Sequence, residues 1–288
     1  MTIIIRVFSD FCDSAGLKTI YEERLCEKYK NFYYGIDNYI YLTSGEDYTH
    51  AVILNTIMPK LKNGIPKRNV IGFALEPFPF LPLSPIFIEY AKKNISKYFI
   101  GDLDHLPEPF LEGPNFMWHT VPSLKSTPNK KKCMSIMISQ KKFAPGHQYR
   151  HQLAEAILRL NLPIDIFGRG HIYYQNMKDC RIKGNFKELE PYEEYDFHIA
   201  IENFRSNHYF TEKIMNPLIC NTTPIYLGCH NIESYFKDQI IHLSGNLEND
   251  LIMIQTILRN PDQYKKKIDV DLVKNKTCLI QNADKLFK

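Results

Sequence analysis

The strongest constraint on this chain is an alternation. "TIIIRVF", "THAVILN" and "NVIGFALE" are short β-branched and aliphatic runs bounded by turn or polar residues, the pattern of strands buried on both faces. Between the first two lies "SAGLKTIYEERLCEKYKN", where Leu17, Ile20, Tyr21, Arg24, Leu25 and Tyr29 make a partial helical stripe. Strand, helix, strand predicts a parallel, doubly wound sheet, because parallel neighbours need a crossover and a helix supplies it. The series restarts after residue 130. "KCMSIMIS" predicts a strand, "GHQYRHQLAEAILRLN" a helix with Leu153, Ala156, Ile157 and Leu160 on one face, and "LPIDIFG" the next strand. "FHIAIE" and "TPIYLG" then flank a helix opened by Thr211, and the C-terminal stretches read as helices.

Two such series in 288 residues predict an α/β protein of two Rossmann-like, doubly wound domains facing across a cleft. The stretch "TVPSLKSTPNKKK" is the natural linker, placing the domains at residues 1–127 and 128–288, the second carrying the C-terminal helices. Open parallel sheets take ligands at the carboxyl ends of their strands, so the residues there are the candidates for chemistry.

Charge narrows the partners. Thirty-six basic residues against 32 acidic ones, a net of +4, are too few and too dispersed for a nucleic-acid footprint. The run "NKKKCMSIMISQKK" is the local exception, either a solvated linker leading into a strand or a site for an anionic ligand. Seven scattered cysteines without a Cys-x-x-Cys pair suit reduced thiols, and no apolar run approaches the roughly 20 residues of a membrane span. The expected location is cytoplasmic.

"FHIAIENFRSNHYFTEKIMN" holds the densest set of candidates. Period two puts Phe197, Ile199 and Ile201 on one side, then Glu202 and Asn203 arrive where the strand should end. Thr211 is a natural cap, with Glu212 and Lys213 in the following first turn, where backbone N–H groups and a lysine suit a diphosphate. A plain helix start also accounts for a first-turn glutamate. Pro217 lies inside that helix and should bend it beyond the first turn. His147 and His151, four apart on a helix, read as a surface pair without a third metal ligand. Gly168 and Gly170 around Arg169 read as a turn.

"FHIAIENFRSNHYFTEKIMNPLICNTTPIYLG" resembles the signature of family 10 glycosyltransferases, the α-1,3/4-fucosyltransferases: an aromatic residue, then Glu-Asn, a spacer, Tyr-x-Thr-Glu-Lys, and a strand ending in glycine. The resemblance implies a GT-B architecture and an inverting enzyme that moves L-fucose from GDP-fucose to a hydroxyl of a glycan acceptor, in glycan biosynthesis or protein glycosylation. It implies donor-binding roles for Asn203, Tyr209, Glu212 and Lys213, and, from "SQKKFAPGHQYRHQL", for Arg150, Ser139 and Lys142. Lys213 and Arg150 would hold the diphosphate. In "NVIGFALEPFPF" it implies that Glu76 is the general base, although a proline follows where the family has asparagine. No cofactor or bound metal is expected, a divalent cation acting as a stimulant at most. Two alternatives stay open: a metal-dependent GT-A enzyme using Asp102 and Asp104 of "GDLDHL", and a glycan- or nucleotide-binding module without turnover.

Overall fold

The computed structural model describes residues 2–23, 40–103, 105–114, 128–187, 189–277 and 279–288. The chain forms two units: Met1–Ser123 with Ser206–Tyr209 and Lys274–Lys288, and Leu124–Arg205 with Phe210–Val273.

In unit 1 six strands lie parallel in the order β2-β1-β3-β4-β5-β6. They are β1 (Ile3–Phe8), β2 (Ile40–Leu42), β3 (His50–Leu54), β4 (Val70–Phe73), β5 (Lys97–Ile100) and β6 (Phe110–Glu112). β3 and β4 are buried at every residue, as a central parallel strand must be when both faces are covered. One face packs on helix α1 (Ser14–Glu23) through Leu17 and Tyr21. The other packs on α2 (Pro85–Asn94) through Phe87 and Ala91, a helix that Ser84 caps by accepting the Phe87 N–H.

Unit 2 repeats the architecture in the order β12-β11-β10-β7-β8-β9, again all parallel. Its strands are β7 (Lys132–Met137), β8 (Ile164–Phe167), β9 (Ile182–Gly184), β10 (Tyr195–Ile201), β11 (Thr223–Leu227) and β12 (Ile241–His242). The helices that position the site are α3 (Pro145–Arg159), α4 (Glu212–Ile219) and α5 (Leu247–Arg259). Leu153, Ala154 and Ile157 of α3 and Ile254 and Ile257 of α5 close one core with Ile136, Ile166, Phe197 and Ile225 of the sheet.

The two α/β units match the expected fold class. One expectation about their extents changes: the C-terminal helices α6 (Val270–Thr277) and α7 (Leu279–Leu286) were assigned to the second domain, yet residues from Lys274 onward belong to unit 1. Leu279 and Ala283 are buried there among Ile3, Ile5 and Leu17, and the Phe287 ring meets His50 edge-on at 4.6 Å. The linker residues 120–127 and the predicted helical positions Arg24, Leu25 and Tyr29 lie outside the described residues. Among the described residues no helix is long and apolar enough to cross a membrane.

Candidate functional site

Topology singles out one edge in unit 2. The chain enters at β7, builds β8 and β9 on one side, then crosses to place β10, β11 and β12 on the other. The connections therefore leave β7 and β10 in opposite directions and open a crevice beyond their carboxyl ends, the place where doubly wound sheets bind ligands. The segments that line it follow Met137 and Ile201, and they contain Ser139, Lys142, Arg150, Asn203, Glu212 and Lys213.

At the end of β10 the apolar strand runs into Glu202, which is 1% exposed. Its Oε1 accepts the Thr211 backbone N–H and its Oε2 the Thr211 hydroxyl, both at 2.8 Å. Thr211 is the cap of α4, its Oγ1 accepting the Lys213 N–H at 3.4 Å. Lys213 Nζ lies 3.0 Å from Thr211 Oγ1, 3.0 Å from Glu212 Oε1 and 3.6 Å from Glu202 Oε2. Burial pushes the Glu202 carboxyl above its usual range against the pull of Lys213. For Glu212 burial acts the same way, but the charge and hydrogen bond of Lys213 outweigh it and hold the carboxyl low. Lys213 answers in kind: burial opposes its charge, and Glu212 and Glu202 keep its pKa raised. The ammonium is thus fixed and charged.

A second contact set joins α3 to the same strand end. Arg150, 3% exposed, donates from Nη2 to Asn203 Oδ1 at 2.6 Å and from Nε to Gly146 O at 3.1 Å. It sits in the second turn of α3, which begins at Pro145. Gly146 donates its N–H to Asn203 O at 3.0 Å, and a Cβ there would stand 1.8 Å from Glu202 O. Only glycine permits that approach. Arg150, Asn203, Glu212 and Lys213 therefore gather at one strand edge.

His147 and His151 are buried rather than on the surface. His147 Nδ1 accepts the Ala144 N–H at 3.3 Å, capping α3 from its third residue. Burial, reinforced by the charges of Arg150, Lys141 and Lys213, lowers its pKa to about 4, which keeps that nitrogen an acceptor. His151 lies 2.8 Å from both Ser139 O and the Tyr174 hydroxyl, and burial keeps its pKa low too. Ser139 is spent locally, accepting the Lys141 N–H at 3.1 Å, and Lys142 Nζ rests 3.6 Å from the centre of the Tyr173 ring. The glycines flanking Arg169 do more than turn the chain. Gly168 has φ +102°, and a Cβ on it would fall 2.2 Å from Ile138 O.

The lysine run divides by function. Lys130 Nζ donates to Cys220 O, Thr222 Oγ1 and Tyr192 O at 2.7, 2.6 and 3.2 Å, and burial lowers its pKa to about 8. Lys131 pairs with Glu194, and Lys132 with Asp165. These three serve the amino end of β7, whereas Lys141 and Lys142 lie beyond its carboxyl end.

Beside the network, a cavity of about 280 Å³ is lined by Gly146, Tyr149, Gln152, Glu202, Arg205 and Gly245, among others. Its wall depends on Asp250, 2% exposed, which the sequence reading missed. One carboxylate oxygen accepts from Ser244 N and Oγ at 2.7 Å each; the other accepts from Gly245 N at 2.9 Å and from the Tyr149 hydroxyl. Glu202 was likewise passed over as a site residue, although a carboxylate ending an apolar strand was the available signal.

The remaining candidates lie in unit 1. Tyr209 is 1% exposed within the segment Ser206–Tyr209. Glu76 is exposed, three residues past β4, where Leu75 N donates to Asn55 Oδ1 at 3.0 Å. Asn55, at φ +54°, also donates to Asp10 Oδ1 at 3.2 Å, and these residues follow β3 and β1, between which unit 1 has its own switch in strand order. Asp102 Oδ1 accepts the Asn207 N–H at 3.4 Å, while Asp104 lies outside the described residues.

Two parallel α/β units of this kind are the fold of GT-B glycosyltransferases. Over 96% of this chain and 82% of the other, the fold aligns with an α1,3-fucosyltransferase structure determined with GDP-fucose, at TM-score 0.53 and 15% identity. Over the whole of both chains it aligns with an α-glucosyltransferase in complex with UDP and DNA, at TM-score 0.63 and 9% identity. Residues 127–266 match the profile of glycosyltransferase family 10 (fucosyltransferase), C-terminal part. A fucosyltransferase-like protein of Arabidopsis thaliana is 27% identical over 127 residues, 43% of this chain and 23% of that one. A protein of Acanthamoeba polyphaga mimivirus assigned as a fucosyltransferase is 38% identical over 84 residues, 28% of this chain and 14% of that one. The chain thus spans under a quarter of the length of these relatives.

Proposed function

We propose that this chain is an inverting fucosyltransferase that moves L-fucose from GDP-fucose to a hydroxyl of a glycan acceptor and forms an α-linked fucoside. The observation that carries the reading is the junction of β10 and α4, where Arg150, Asn203, Glu212 and Lys213 converge at the switch point of unit 2. Arg150 and Lys213 are held in place before any ligand arrives, as a group that stabilises a departing diphosphate should be. They bind the phosphates of the donor, and the cavity of about 280 Å³ beside Gly146 and Gly245 takes its nucleoside. Glu212 hydrogen-bonds hydroxyls of the fucose. Glu76 of unit 1 removes the proton of the acceptor hydroxyl as its oxygen bonds to the anomeric carbon, the bond from that carbon to the phosphate oxygen breaks, and the electron pair leaves on GDP. Tyr209 adds a donor contact. Proton removal and charge stabilisation are both supplied by side chains, so the reaction runs without a bound metal.

Calorimetric titration with GDP-fucose, GDP, GDP-mannose and UDP-galactose, with and without chelator, tests this. Chelator-insensitive binding of GDP and GDP-fucose with no heat from UDP-galactose is expected. Binding of UDP-galactose alone, lost on chelation, would sink the assignment.

A further inference from the structure

Beyond the carboxyl ends of β7 and β8, on the same edge as Arg150 and Lys213, unit 2 presents a ledge of exposed rings and cations, Lys142 among them, set apart from the β10–α4 junction. Phe143 is 66% exposed and Tyr173 47%, large values for aromatic rings on a sheet edge otherwise well covered. Lys141 Nζ stands 5.8 Å from the Phe143 ring centre and Lys142 Nζ 3.6 Å from that of Tyr173. Arg169, also exposed, precedes Tyr173 in the same turn. Among the described residues Lys141, Lys142 and Arg169 form no ion pair, whereas Lys131 and Lys132 at the opposite end of β7 are paired.

The ledge is rigid. The Tyr173 hydroxyl donates to Gln140 O at 3.0 Å, Gly170 N to Ile138 O at 3.2 Å, and the buried His151 ties Ser139 to Tyr174 from below. Its charge is felt by its neighbours: Lys141 and Lys142 help to depress His147 and His151. Exposed rings beside uncompensated cations match a ligand that offers an apolar sugar face and a negative group together. A second copy of the chain fits poorly, since a two-fold contact through this patch would set its cations against one another.

We infer that this ledge binds the acceptor and selects saccharides that carry a carboxylate, sulfate or phosphate. The word acceptor rests on the fucosyltransferase reading; the anionic-saccharide site does not. The test measures binding of a neutral lactose-type disaccharide and of its monosulfated and uronic-acid counterparts to the full chain, with GDP titrated in parallel. Wild type should prefer the anionic sugars by about tenfold, the scale of one charge-assisted hydrogen bond. Lys141→Glu/Arg169→Glu should erase the preference, Phe143→Ala should weaken all sugars alike, and GDP affinity should stay within about twofold in both variants, because neither alters the β10–α4 junction. Equal binding of neutral and anionic sugars, or no sugar bound at all, would overturn the inference. So would a parallel loss of GDP binding in the charge-reversed variant, which would assign the ledge to the donor. If anionic sugars bind as expected but GDP does not, the donor reading fails and the ledge stands.

Discussion

Lys213 is held by three oxygens from Thr211, Glu212 and Glu202, so its position does not depend on a ligand. Replacing it by alanine removes a charge-assisted contact to phosphate worth about 1.5–3 kcal/mol. Lys213→Ala should therefore weaken GDP binding by roughly tenfold to a hundredfold; an unchanged dissociation constant in calorimetry would remove Lys213 from the diphosphate. Glu202 lines the cavity and also holds the fold. Glu202→Ala strips the Thr211 N–H and hydroxyl of their acceptor inside the protein, where Thr211 is only 4% exposed. The expected loss is about 1–3 kcal/mol of unfolding free energy, the desolvation cost of a buried donor left unpaired. Urea unfolding with an unchanged midpoint would show that the network is not needed to hold α4. Glu76, being exposed, separates chemistry from stability. Glu76→Gln should abolish fucose transfer while GDP affinity and the melting temperature persist, and retained transfer would exclude it as the base.

At the scale of elements, the closest packing in the site is between the first turn of α3 and the end of β10. Gly146→Ala would drive a methyl into Glu202 O, a backbone atom that cannot swing aside. The separation of α3 from β10 must grow, carrying Arg150 away from Asn203, so both thermal stability and GDP binding should fall together. Full GDP binding by a stable Gly146→Ala protein would mean that the two elements can part without cost. The same scale explains what the sequence made legible. β1, β3, β4, β7, β8, β10 and β11, each of four to seven residues, were found because an apolar run of that length stands out. β2, β6, β9 and β12 were missed: each has two or three residues and each lies at the outer part of a sheet, where one neighbour suffices and no run is needed. In the site, Glu202 to Lys213 is nearly contiguous and could be read directly. Asp250 acts on Tyr149, 101 residues away, and Asn55 on Asp10, 45 away, so their roles exist only once the chain is folded.

For the molecule as a whole, pH should act unequally on the two units. Unit 2 buries His147, His151 and His198, and burial holds each below its ordinary pKa, His147 at about 4 and His198 at about 3. An unfolded histidine takes up its proton near pH 6.5, so between that value and the folded pKa the unfolded state binds more protons. The stability these residues provide is therefore complete above about pH 6.5 and is lost as pH falls toward 4 and then 3. Glu202 works in the opposite sense, its raised carboxyl favouring the folded state on acidification, but it is one group, and Glu212, held low, sides with the three histidines. In unit 1, among the described residues, His50 is the only histidine with a depressed pKa. Differential scanning calorimetry from pH 7 to pH 4.5 should show the unit 2 transition moving down in temperature more than that of unit 1. His198→Asn keeps an amide donor toward Ser135, 2.8 Å from the imidazole Nδ1, without the titration, and should flatten the dependence. A unit 2 transition insensitive to pH across that range would mean that these imidazoles reach solvent or a carboxylate when protonated. In that case His147 would not be a fixed neutral acceptor at the start of α3, and the field around Arg150 and Lys213 would carry one more positive charge in acid than at neutral pH.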